Sequence, residues 1–235
     1  MKRKEHLIDP HDIELNQWEF RLVMGDHWEG LHEVIHSFFC DCGNDDRILI
    51  DYKVYLTDED DLVLKGKCSS CEGIASVFIE TGDCKEKLDA ADRIRDSRQK
   101  QQEDRINRIF EGVTDNFERC VANFIIYQDY LRNELELPDR VTGIEDFEWE
   151  ECYVFGHGSK KEYDELKKEN PSYTDHFILH GITDEIDDFS GLIASVERIS
   201  DGKHFEIPLE HLRTIDGKSP NTQLLDDYAT WWVNY

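Results

Sequence analysis

Four cysteines stand in two close pairs, Cys40-x-Cys42 and Cys68-x-x-Cys71, with 25 residues between the pairs. Each pair ends a strand-like stretch, and a glycine, Gly43 or Gly73, follows each knuckle. Zinc takes four soft ligands at the corners of a tetrahedron, and two turn-borne thiol pairs at the ends of a hairpin supply them. The pattern points to structural zinc on Cys40, Cys42, Cys68 and Cys71. The one-residue gap of the first pair is the less common spacing. A redox dithiol at Cys68 and Cys71 is the competing chemistry, but such a motif belongs between a strand and a helix. Here the strand-like stretch IASVFIE follows instead. Four thiolates also fill the zinc shell and leave no open position for catalysis. His27, His32 and His36 lie just upstream as lesser ligand choices, the last two on one face if the segment is helical.

Carboxylates suggest a second chemistry. GIEDFEWEECY (143–153) places Glu145, Asp146, Glu148, Glu150 and Glu151 within seven residues. In an extended segment Asp146, Glu148 and Glu150 point the same way. Carboxylates held together repel unless a cation joins them, and calcium is the cation that takes six to eight oxygens. The first-choice calcium ligands are therefore Asp146, Glu148, Glu150 and Glu151. Asp184, Asp187 and Asp188 form a second set. That second set is not an EF-hand: Ile186 falls on the first ligand position and a strand follows. The plain alternative for either cluster is a solvated acidic edge.

These groups need elements to position them. Residues 17–84 read as β-rich, with strands in QWEFRLVM, RILIDYKVYL, LVLKGKC and ASVFIET and a turn at TDEDD (57–61). Residues 85–135 read as helix, polar at first and then carrying one apolar face from Ile106 through Phe110, Phe117, Cys120, Phe124 and Leu131. Residues 136–220 return to short strands: ELPDRVTG, ECYVFG, DHFILHGI, GLIASVERI and HFEIPL. ISDGKHF reads as an Asp-Gly hairpin, and SKKEYDELKKEN (159–170) as a charged helical insert that Ser159 could cap. NTQLLDDYATWWVNY reads as a terminal helix capped by Asn221. The expected domains are a zinc-ribbon-like β unit at 1–84, a polar helical linker at 85–119 and an acidic domain at 120–235.

The net charge is −26. Residues 1–84 carry 19 acids and 8 bases, 85–135 carry 11 and 10, and 136–235 carry 23 and 9. Nucleic-acid binding needs a basic footprint, and an anionic membrane surface repels such a chain; neither partner is expected. No apolar run is long enough to span a bilayer. MKRKEHLIDPHD lacks the apolar core of a secretory leader, and seven cysteines, an odd number, fit a reducing, cytoplasmic setting.

The C-terminal stretches YLRNELELPDRVTG, ECYVFG, GLIASVERISDGKHFEIPLEHL and TQLLDDYATWWV resemble the small acidic calcium-binding proteins of cyanobacteria, the CcbP family. The resemblance covers roughly residues 120–235. Its most specific pieces are Leu135-x-Leu137-Pro138, Pro208-Leu209-x-x-Leu212 and the aromatic terminal helix. It implies a small SH3-like β-barrel with flanking helices that binds calcium through surface carboxylates, and it implies nothing about catalysis. The cysteine unit and the insert GHGSKKEYDELKKENPSYT depart from the family. No ligand is carried over from it; the acidic positions above come from local chemistry.

The expected class is thus α+β: zinc-ribbon-like unit, long central helix, barrel. The expected function is a non-enzymatic metal-binding protein with structural Zn2+ in front and Ca2+, buffered or sensed, behind. The alternative is a zinc-ribbon adaptor that docks a basic protein through its acidic surface, with Trp18, Trp28, Trp149, Trp231 and Trp232 as contact residues. A hydrolase finds no support, for the sequence has no Gly-rich phosphate loop, G-x-S-x-G or H-E-x-x-H.

Overall fold

The computed structural model describes residues 12–38, 40, 42–44, 46–82, 84–156, 158–187 and 189–235. They form a mixed α+β protein of two compact units, 1–100 and 101–235, each with its own hydrophobic core. No helix of the described residues is long and apolar enough to cross a membrane.

The first unit is built on an antiparallel sheet of β1 (Ile13–Leu15), β2 (Leu49–Leu56), β3 (Leu62–Cys68) and β4 (Ile74–Ile79), paired in that order. Leu49, Val54, Leu56, Leu62, Leu64 and Val77 are buried. They pack with Phe20, Val23 and Met24 of α1 (Gln17–Met24) and with Ala90, Ala91 and Ile94 of α3 (Lys85–Phe110). The TDEDD turn forms as expected. Thr57 N–H donates to Asp61 O at 2.8 Å, and Asp60 takes φ +63°.

QWEFRLVM is not the expected strand but helix α1. The Asn16 carboxamide oxygen accepts from the N–H groups of Trp18 and Glu19, and the Glu19 carboxylate accepts from the Asn16 N–H. That reciprocal capping box starts a helix, and Phe20, Val23 and Met24 then share its buried face. The short helix α2 (Leu31–His36) follows.

The single helix expected over 85–135 is two. Gly112 takes φ +77°, a left-handed conformation that ends α3. Thr114 and Asn116 then form side-chain-to-backbone turns, with Asn116 N–H on Thr114 Oγ1 and Glu118 N–H on Asn116 Oδ1, both at 3.0 Å. Helix α4 (Val121–Glu134) starts afresh. Cys120, read as core, is exposed just before it.

The second unit holds a five-stranded antiparallel sheet from β5 (Asp139–Gly143), β6 (His176–Asp187), β7 (Gly191–Arg198), β8 (His204–Pro208) and β9 (Leu212–Thr214). Its order is β8-β7-β6-β5-β9. Three residues, Leu209–His211, carry the chain from one edge strand to the other. Four steps of chain reach at most about 14 Å, whereas five flat strands span about 19 Å, so the sheet must curl. No ladder joins β8 to β9 among the described residues, so the sheet is open where a barrel would close.

Leu192, Ala194 and Val196 alternate into the core and meet Phe124, Tyr127 and Leu131 of α4 and Leu225, Tyr228 and Trp231 of α7 (Asn221–Asn234). Gly191, at φ +64°, is required there: a Cβ would fall 2.5 Å from the Tyr228 hydroxyl. Two further expectations need correction. ECYVFG forms the short helix α5 (Glu151–Val154) rather than a strand. Asn221 does not cap α7 but is buried in its first turn, where its carboxamide bonds the Glu136 backbone and the Asp139 carboxylate. The insert does form α6 (Lys160–Leu166) with Ser159 at the capping position, though its hydroxyl makes no cap bond.

Candidate metal centre

The sulfurs of Cys40, Cys42, Cys68 and Cys71 all lie within 4.8 Å of one another. Cys40 and Cys71 are 3.4 Å apart, and Cys42 and Cys68 are 3.8 Å apart. A tetrahedron with zinc–sulfur bonds of about 2.3 Å has edges of about 3.8 Å. The thiols therefore fit such an ion with small side-chain shifts. No disulfide links them.

The loops that carry the thiols are held by bonds of their own. Cys68 ends β3, and its knuckle is closed by Glu72 N–H on Cys68 O and Cys68 N–H on Gly73 O, both at 2.9 Å. Glu72 takes φ +58° to make the reversal. Arg47 clamps the other loop, donating to Phe38 O from Nε and Nη2 and to Asn44 O from Nη1. Asn44 Nδ2 then donates to Ser70 Oγ at 3.0 Å, and Ile48 N–H donates to Ser69 Oγ at 2.9 Å. The two knuckles are thus stitched to each other beside the sulfurs.

The electrostatics favour one thiolate as the nucleus of the site. Burial raises the Cys68 thiol, but the backbone N–H groups of Ser70 and Cys71 and the thiols of Cys40 and Cys71 outweigh it and bring it to about 6. Ser70 N–H points at the sulfur from 3.4 Å. A thiolate is what zinc binds. His32 and His36 do share a helical face, with rings 4.5 Å apart, but neither joins the cysteine group.

The acidic residues are arranged differently. Residues 144–150 form a bend and turn rather than the expected extended segment, so Asp146, Glu148 and Glu150 do not line one face. Glu150 is fully buried and accepts from Phe147 N–H, Tyr173 N–H and the Tyr163 hydroxyl. Glu148 and Glu151 are exposed and Asp146 half-buried. Asp184 is exposed and pairs with Arg132. Asp187 accepts from Phe189 N–H and Ser190 N–H, and those bonds hold its carboxyl below the usual range. Asp188 lies outside the described residues. None of these carboxylates belongs to a group of three gathered ligand atoms among the described residues.

The fold gathers a second group that the sequence pattern does not reveal: His180, Glu197 and His204, with ligand atoms within 4.8 Å of one another. Their sequence spacing carries no motif. The one usable signal was the Asp-Gly hairpin, whose register sets Glu197 opposite His204. Among the tryptophans, Trp231 is core and Trp149 donates to Pro171 O, while Trp18 is 72% exposed.

No protein-family model matches the sequence, and no curated protein matches it. Among solved structures, the crystal structure of Anabaena CcbP aligns over 57% of this chain and 89% of its own, with 14% identity and a TM-score of 0.38.

Proposed function

We propose that this chain is a non-enzymatic metal-binding protein whose first unit is held by structural zinc and whose acidic second unit takes calcium. The observation that carries the zinc half is the four-thiol cluster, whose sulfurs lie within 4.8 Å of one another on two cross-braced knuckles. Four cysteine ligands close the coordination shell, which suits a structural rather than a catalytic ion. The purified chain should carry one zinc per molecule by elemental analysis. Chelation should expose four reactive thiols that zinc alone protects again. A metal-free protein with an unchanged melting curve would sink this half.

The calcium half rests on the 23 acids against 9 bases in residues 136–235 and on the sequence resemblance. It is tested by calorimetric titration of the zinc-loaded protein with calcium and, in parallel, magnesium. Saturable binding of calcium with much weaker magnesium supports it. Silence up to millimolar calcium rejects it. In that case the acidic surface serves solubility or the docking of a basic protein partner.

A further inference from the structure

His180, Glu197 and His204 come from three neighbouring strands, β6, β7 and β8, and meet on the outward face of the second sheet. Glu197 is the middle member. Its register partner on β8 is His204, and on β6 it pairs with Ile178. His180 is the extra residue of a bulge, since Leu179 pairs with Val196 and Gly181 already pairs with Ser195. A bulge of this kind re-aims a side chain, here toward the hairpin.

The distances bracket those of a metal-ligand set. His180 Nε2 is 3.1 Å from Glu197 Oε2, within hydrogen-bond reach, but His204 Nε2 is 4.0 Å from the same oxygen, beyond it. The two rings lie 5.8 Å apart. A tetrahedral ion with bonds of about 2.0–2.2 Å to imidazole and carboxylate asks its ligand atoms to sit about 3.3–3.6 Å apart. The three side chains are all solvent-accessible, so small rotations reach that geometry. Two imidazoles select zinc-class transition metals over calcium or magnesium, which prefer oxygen.

We propose that His180, Glu197 and His204 form a second metal site that takes one zinc-class divalent ion, with water completing its shell. The site is separate in residues and in donor chemistry from the four thiols and from the acidic loop. Three solvent-accessible protein ligands hold an ion less firmly than four thiolates, so the site fills at higher free metal than the cysteine cluster does.

The test uses the full chain, saturated first with zinc at its thiols and then freed of excess metal. Further zinc is titrated by calorimetry into the wild type, H180A/H204A and E197Q. The wild type should bind one more equivalent than H180A/H204A, and E197Q should bind at least about tenfold more weakly than wild type. In the wild type, nitrogen-detected NMR should show two histidine Nε2 signals shifting together with that equivalent, a readout that needs no variant. Equal zinc stoichiometry in the wild type and H180A/H204A, or histidine signals that do not move, overturns the proposal. Displacement of the bound ion by calcium would overturn it too.

Discussion

The Arg198 guanidinium and the Asp201 carboxylate meet in a two-bond pair, Nε to Oδ1 at 2.9 Å and Nη2 to Oδ2 at 2.7 Å. Arg198 is 3% exposed, and its remaining donors reach the carbonyls of Lys167, Lys168 and Asn170 and the Asp175 carboxylate. One side chain thus ties the inserted helix region to the β7–β8 hairpin. Replacing Arg198 with Met takes a donor from three carbonyls and two carboxylates, although the Lys168 carbonyl keeps Lys203 Nζ and the Asp175 carboxylate keeps Ser172 N–H. It should cost roughly 3 kcal/mol in denaturant titration. A loss below about 1 kcal/mol would mean that water replaces the guanidinium at little cost.

The same pair sets an acid limit. Its bonds to Arg198 pull the Asp201 carboxyl from its ordinary 3.8 to about 2. A carboxyl depressed in the folded state stabilises above its unfolded value and loses that contribution as pH falls through the folded one. Stability should therefore decline between about pH 4 and pH 2 through this group. D201N should flatten that part of the melting-temperature profile.

Glu210 works in the opposite sense. Burial raises its carboxyl from 4.5 to about 7, and Oε2 has no hydrogen-bond partner. A carboxyl raised in the folded state loses stability as pH climbs from the unfolded value through the folded one. Between pH 5 and pH 8 this group should cost on the order of 2 kcal/mol. E210Q should remove the slope. An unchanged slope in E210Q would place its origin elsewhere.

Glu150 separates a structural carboxylate from a ligand. With three donors on it and no exposure, E150A should destabilise the second unit by about 2–4 kcal/mol. D146N and E148Q, at half-buried and exposed positions, should stay within about 0.5 kcal/mol. If calcium binds through this loop, D146N and E148Q should weaken it without touching stability. Chemical denaturation and calcium calorimetry on the same three variants decide.

Loss of the thiol-bound zinc should act on the first unit alone. Chelation or C71S should abolish the cooperative melting of the first unit, because its cysteine knuckles join loops at the end of a small sheet. The second unit, with Trp231, Tyr127 and Tyr228 in its own core, should melt as before. Hydrogen exchange across residues 49–79 against residues 191–208 reads the two separately.

Which elements were legible follows from the range of the forces that make them. β2, β3, β6, β7 and β8 announce themselves through β-branched and aromatic runs between turn residues. The Asp-Gly hairpin fixes its own register. The apolar positions of QWEFRLVM fit a strand as well as a helix, and only the Asn16–Glu19 box breaks the tie. ECYVFG carries the same ambiguity with no comparable signal to resolve it.

The sequence by itself determined the two close thiol pairs, because gaps of one and two residues leave little freedom in where the sulfurs of each pair go. It also determined the acidic character of the protein and the placement of most strands, which depend on neighbours along the chain. Tertiary structure alone decided which carboxylates are free. Glu150 lies among acids in sequence but is enclosed by Tyr163 and Tyr173 in space. It alone brought His180 to Glu197 and His204, because a bulge in one strand sets which residues face each other across a sheet. Contacts of that kind are fixed by the register between distant segments, and no local pattern records them.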